Sequence, residues 1–326
     1  MTLTLLVTGH RKSGTTLLHR LFDGHRECVV YPTDLGLLYA YLPCFAADLD
    51  DPVAQRQRLG HVLRKSLEKY DGMTLGAMAD SRLCVEAFVR KLQEDLLDED
   101  LRDAGKIFSA AVQAFRATAQ VHPAAILVVK ETSQSIHFGR LQAEDSGVRL
   151  MGIVRDPRDN YAAISAGVDA HYSRLGEDVL KSLASVINRA RMDLLSLHEL
   201  SVTDSAHVIR FEDLTTNPEP TMRAAANWMG IEFESSLLQP TLGDTAFSGN
   251  NHQGKTFDGI SSRHVGAWTE RISRFEAGVI EYWLSDAMAH WDYAPQLPNL
   301  EARIHFAQFY DWYNCQYFFH GTSFDV

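Results

Sequence analysis

The sequence predicts an α/β fold: a central parallel sheet with helices on both faces. Three observations carry this. The short apolar run Leu5-Leu6-Val7 meets Gly9 and Gly14 and is followed by Leu17, Leu18, Leu21 and Phe22 at helical spacing, which reads as strand, tight loop, helix. Two further continuous apolar runs, Ala125 to Val129 and Val148 to Val154, have the character of buried parallel strands. Helical patterns separate these strands, and that alternation is the mark of a parallel sheet covered on both sides.

The elements follow in order. After the first helix, Cys28-Val29-Val30-Tyr31 reads as a short second strand ending at Pro32, with Thr33 and Asp34 at its exit, where ligands of open α/β sheets sit. From Val53 to Val121 the pattern is helical almost throughout, as in Leu59, Val62, Leu63 and Leu67, or Phe88, Leu92 and Leu96. Residues 53–121 therefore form a helical insertion, either a cap over a substrate or a cover for one sheet face. The run ending at Val129 delivers Lys130-Glu131-Thr132 to a strand exit, and the run ending at Val154 delivers Arg155-Asp156-Pro157-Arg158-Asp159.

Helices are expected over Tyr161 to Val168 and Val179 to Leu200. His207-Val208-Ile209 is a short strand, and Pro218 to Met229 is a helix stopped by Gly230. Leu242 to Val265, rich in Gly, Ser, Asn and Asp, marks a long loop of the kind that tends to be functional. Ser273 and Glu276 form a capping box opening a further helix. The aromatic tail in residues 300–326 is too apolar to be left in water and packs on the body or on a second subunit, as in a homodimer. Residues 1–326 are read as one domain.

Composition bounds the function. With 326 residues, 45% hydrophobic and 22% charged, the chain has ordinary globular make-up. No apolar run is long enough to span a bilayer, and a core-like strand so near Met1 leaves no room for a signal peptide, so a soluble cytoplasmic protein is expected. The net charge of -11 argues against nucleic acid or a membrane as partner. The four cysteines, Cys28, Cys44, Cys84 and Cys315, are far apart and are expected to be reduced and mostly buried. None of the fourteen histidines makes a metal-binding pair, so no metal site is expected, and His10, His19 and His137 read as structural or exposed.

The candidate site begins at the first loop. Gly9 and Gly14 let the amides from Lys12 to Thr16 converge on one anion at a helix N-terminus, with side-chain donors from Lys12, Ser13, Thr15 and Thr16. The spacing is that of the nucleotide P-loop, except that Thr15 stands where that motif has Lys and the cation precedes the glycine. Arg11-Lys12-Ser13-Gly14-Thr15-Thr16 resembles instead the 5′-phosphosulfate loop of the PAPS-dependent sulfotransferases. Later blocks extend the resemblance in the same order. Ile153 to Asp159 looks like that family's 3′-phosphate block, Val208 to Leu214 with Asn217-Pro218 is similar to its Tyr-Glu-Asp-Leu segment, and Arg263 to Trp268 resembles its late Arg-Lys-Gly loop in reduced form.

The resemblance implies a P-loop-type sulfotransferase fold in which Arg11, Lys12, Ser13, Gly14, Thr15 and Thr16 hold the 5′-phosphosulfate. It also implies that Arg155 holds the 3′-phosphate, with Arg263 and Gly266 closing from the late loop. One departure stands out. The family's serine eight residues after the arginine is Ala163 here, with Ser165 two residues on. Either Ser165 serves after a local distortion, or the 3′-phosphate has lost a hydroxyl partner.

The implied reaction moves a sulfuryl group from PAPS to a hydroxyl or amine of a small-molecule acceptor, with Lys12 at the bridging oxygen and no metal required. The family's catalytic histidine is missing from Lys130-Glu131-Thr132, so Asp34 is the first candidate base and Glu131 the second, with Lys130 at the transferring group. A P-loop kinase using ATP and a non-catalytic nucleotide-binding protein are the rival readings.

Overall fold

A computed structural model describes residues 2–41, 51–76, 81–166, 179–243, 245–247, 249 and 259–320. Its centre is a five-stranded sheet of β1 (Thr4–Thr8), β2 (Cys28–Asp34), β3 (Ile126–Lys130), β4 (Val148–Val154) and β5 (Ala206–Arg210). The order is β2-β3-β1-β4-β5 and every pairing is parallel. The chain builds first to one side of β1 and then to the other. The carboxyl end of β1 thus opens between those of β3 and β4, the switch point where such sheets bind ligands.

Because side chains alternate along a strand, each strand feeds two cores. Leu5, Val7, Val128 and Ile153 face α1 (Thr15–Leu21), α8 (Phe211–Thr216) and α9 (Pro218–Met229), meeting Leu18, Leu214 and Met222. Leu6, Val29, Tyr31, Leu127 and Leu150 face the opposite way. They meet α2 (Pro52–Leu67), α3 (Val85–Asp95), α4 (Ala104–Thr118), α5 (Phe138–Glu144), α7 (Val179–Ser201) and α10 (Arg274–Trp283).

Within residues 53–121 the described helices pack against one face of the sheet. Leu59, Phe88 and Phe115 belong to the same core as Tyr31 and Leu127, and the rings of Tyr31 and Phe115 lie 4.9 Å apart.

Local signals set the boundaries. α9 opens on Pro218 and stops at Gly230, whose φ of 76° suits glycine. The Ser273–Glu276 capping box is complete at the start of α10. α6 (Pro157–Ser165) is capped by Asp156, which accepts from the Arg158 amide, with Pro157 in its first turn.

The stretch expected to be loop from Leu242 carries a short hairpin, β6 (Thr241–Leu242) with β7 (Thr245–Ala246). α11 (Ser285–Ala289) follows α10, and the tail is α12 (Asn299–His320), which packs on α10. Phe306 stacks on Trp283 at 5.2 Å, and Phe309 is buried. The tail thus packs on the body, leaving Ile304, Tyr310 and Tyr313 exposed.

The cysteine expectation is corrected: Cys28 is buried, but Cys84 and Cys315 are exposed because they lie at an α3 cap and on the outer part of α12. Cys44 lies outside the described residues. Among the described residues no helix is long and apolar enough to cross a membrane.

Candidate active site

The loop from Gly9 to Gly14 leaves β1 with almost no clearance. A Cβ on Gly9 would fall 2.2 Å from the Ile153 carbonyl oxygen of β4, and one on Gly14 would fall 2.6 Å from Cδ2 of Phe211. Gly14, at φ 99°, is the residue before α1 and brings no capping side chain. The amides of the first turn are therefore left without a cap from their own N-terminal residue, in a position suited to an anion.

Three successive carbonyls of the loop are drawn backwards. His10 O accepts from the Ser13 amide at 3.1 Å, Arg11 O from Asn160 Nδ2 at 2.7 Å, and Lys12 O from Arg155 Nη1 at 2.8 Å. Asn160 also donates to Ser13 Oγ at 3.3 Å. Carbonyls drawn back in this way suit a loop that holds an anion on its other side, though the Ser13 amide is itself spent on His10. Lys12 sits at φ 62°, a left-handed conformation uncommon for a lysine.

Burial, then the charges of Arg11 and Lys130, push the Lys12 ammonium below its usual range. Several cations crowd the place where an anion would sit, and an anion there would relieve them.

Across the sheet edge, Asp34 and Lys130 are register partners at the ends of β2 and β3. Asp34 Oδ2 lies 2.5 Å from Lys130 Nζ, and Oδ1 accepts from the Thr132 hydroxyl at 3.0 Å. Lys130 is buried while Asp34 is about half open, at 47% exposure. Glu131 points elsewhere: it is 0% exposed, and its Oε2 accepts from the Leu37 amide at 3.3 Å. A carboxylate so enclosed serves the turn after β2. Asp34 is the carboxylate of this pair that solvent or an acceptor can reach.

The Arg155 to Asn160 block is mostly architecture. Arg155 donates from Nη2 to His264 O at 2.7 Å and lies 4.5 Å over the Phe211 ring, so with its Lys12 contact it ties the first loop to the late loop. Arg158 pairs with Asp156 at 2.6 Å and with Glu281 at 2.5 Å, beneath the Trp268 ring. Asp159 accepts from the amides of Gly266 and Trp268 at 2.7 and 2.9 Å. Burial nonetheless pushes the Asp159 carboxyl upward. Gly266 is thereby placed beside the block, whereas Arg263 is exposed. Ser165 donates back to Ala162 O at 3.3 Å within its own helix, spending its hydroxyl there.

The sequence does not single out Asn160, and it gives Asp159 and His264 only as members of their blocks, with no role of their own. Asn160 adjoins the Arg-Asp-Pro-Arg-Asp pattern, but nothing in it announces a partner 149 residues away.

An uncapped, strained loop at the switch point of a parallel sheet, faced by buried cations, defines an α/β protein equipped to hold an anionic group. The family model described as "Sulfotransferase family" matches residues 5–235, and the chain belongs to that family. Among solved structures it is similar to the sulfotransferase domain from the curacin biosynthetic pathway, at 18% identity and TM-score 0.58, over 91% of this chain and 99% of that one. It is likewise similar to the sulfotransferase domain of the Synechococcus PCC 7002 olefin synthase, at 18% identity and TM-score 0.58, over 90% of this chain and 95% of that one. At these identities the likeness speaks for the fold. No curated protein matches the chain at a significant level.

Proposed function

We propose that the protein is a PAPS-dependent sulfotransferase. It moves a sulfuryl group from PAPS to a hydroxyl or amine of a small-molecule acceptor and releases PAP. The observation that carries this reading is the loop at residues 10–14, whose three carbonyls are held back beside Lys12 while the Lys130–Asp34 pair stands at the same sheet edge.

Arg11, Ser13, Gly14, Thr15 and Thr16 hold the phosphosulfate end, and Lys12 neutralises the bridging oxygen as its bond to sulfur breaks. Asp34 takes the proton of the attacking hydroxyl or amine, with Lys130 steadying the oxygens of the transferring group. As in phosphoryl transfer, most of the rate comes from positioning and charge stabilisation. Lys12 and Lys130 supply the positive charge, so the reading calls for no metal. Arg155 and the late loop, with Arg263 and Gly266, form the 3′-phosphate end; Ser165 takes no part while its hydroxyl stays on Ala162. A cytoplasmic setting without nucleic-acid or membrane partners fits the net charge of -11.

A thermal-shift comparison tests the donor. PAP should raise the melting temperature clearly by binding the native state, and ATP with magnesium should do so weakly or not at all. The reverse ranking would overturn the reading.

A further inference from the structure

Beneath the loop, His10 Nδ1 lies 2.8 Å from Asp193 Oδ2, and the two side chains are 5% and 1% exposed. A carboxylate has no proton to give, so Nδ1–H donates to it. The pair lines a narrow crevice together with Ser13, Arg155 and Asn160 and with apolar side chains of β4 and α7, among them Ile153, Ala190 and Leu194. Among the described residues His10 Nε2 and Asp193 Oδ1 have no hydrogen-bond partner, so there this fastening runs through one hydrogen bond. A buried polar pair joined by one hydrogen bond is weak evidence of a stabilising role, since apolar side chains of similar volume often serve as well. Its role is better sought in geometry.

Lys12 holds a left-handed backbone, and such conformations persist where the surroundings over-determine them. Asn160 and Arg155, both from the β4–α6 segment, hold the carbonyls of Arg11 and Lys12. The first residue of the turn is His10, whose carbonyl closes on Ser13 and whose side chain is held from a different element, the middle of α7. Clamped at one end by α6 and at the other by α7, the turn has little freedom to rotate its amides.

We propose that Asp193 is a positioning residue that acts through His10 to set the loop's amides and Lys12 toward the donor's anionic end. The nature of the donor rests on the function proposed above; the orientation of the loop does not.

The test measures binding of PAP and of inorganic pyrophosphate by calorimetry, with steady-state kinetics, in Asp193→Ala, Asp193→Asn and the double variant His10→Leu/Asp193→Leu. Asp193→Ala should weaken both ligands and raise the donor KM about tenfold, and should lower kcat as well because Lys12 also serves the breaking bond, with the acceptor KM nearly unchanged. Asp193→Asn keeps an oxygen for Nδ1–H and should recover to within about threefold of wild type. The double variant should regain the melting temperature while remaining weak toward both ligands, which a merely structural pair would not do. Wild-type affinity in a folded Asp193→Ala or double variant overturns the proposal, as does an Asp193→Asn variant no better than Asp193→Ala. If the wild type ignores PAP but binds pyrophosphate, the donor assignment fails and pyrophosphate still decides the role of Asp193. If it binds neither, both fall.

Discussion

Asp34 and Lys130 face each other across the β2–β3 ladder, with Oδ2 2.5 Å from Nζ. The pairing holds a carboxylate at the open edge of the sheet and a buried ammonium behind it, so under the proposed function an incoming acceptor would meet Asp34 already oriented as its base. Asp34→Asn removes the proton acceptor and keeps the side chain's volume. Turnover should fall by about two to four orders of magnitude, the usual contribution of a general base, while PAP affinity measured by calorimetry stays near wild type. Full activity in this variant would move the base elsewhere.

Glu131 makes the complementary case. Its carboxylate is sealed from solvent and accepts from the Leu37 amide. Glu131→Gln preserves an acceptor oxygen there, so kcat should remain within about threefold of wild type, with a stability loss of about 1–2 kcal/mol in urea unfolding. A collapse of kcat with an unchanged melting temperature would make Glu131 the base in place of Asp34.

These two carboxylates show where the sequence is legible and where it is not. Both stand at strand exits, which periodicity locates, and Gly230, the Ser273–Glu276 box and the Gly9 to Gly14 turn are local signals that the fold obeys. Which carboxylate opens to the cleft depends on the register of β2 against β3, and that register joins residues 96 positions apart. The same holds for Arg158 with Glu281, Asp159 with the Gly266 amide, and Arg155 with two backbone carbonyls. The Arg-Asp-Pro-Arg-Asp block is expected to be a phosphate site because it resembles the 3′-phosphate block of the sulfotransferases. In the folded chain most of those charges neutralise one another or cap backbone amides, a division of labour set by long-range contacts.

Lys12 predicts a pH dependence. Its pKa is lowered from the ordinary lysine value of 10.5, by burial and then by Arg11 and Lys130. The protonated form is the one that attracts an anionic donor, and the free enzyme loses that proton at a lower pH than an exposed lysine would. Donor KM should therefore rise on the alkaline side below the ordinary lysine range, while Lys12→Arg, whose side chain stays charged, should flatten that limb at a lower kcat. For the free enzyme the sign is opposite: the unfolded chain holds this proton more tightly, so the Lys12 contribution to stability grows as pH rises between the folded and unfolded values. A donor KM that is flat up to pH 10.5 would show that Lys12 does not contact the donor.

Arg155 spans Lys12 O and His264 O with its two terminal nitrogens, a geometry that a planar guanidinium can satisfy and an ammonium cannot. Its proposed place at the 3′-phosphate end and its observed place as a clamp make different demands on Arg155→Lys. A residue that did no more than bind the 3′-phosphate would leave affinity for 5′-AMP, which lacks that group, unchanged. A clamp that also shapes the 5′ loop should weaken 5′-AMP by about threefold to tenfold, and PAP by more, because both functions fail together. Calorimetric titration of the two nucleotides separates the roles. Unchanged affinity for 5′-AMP alongside weakened PAP would mean that the loop holds its shape without Arg155, and that its remaining anchors, Asn160 and His10, suffice.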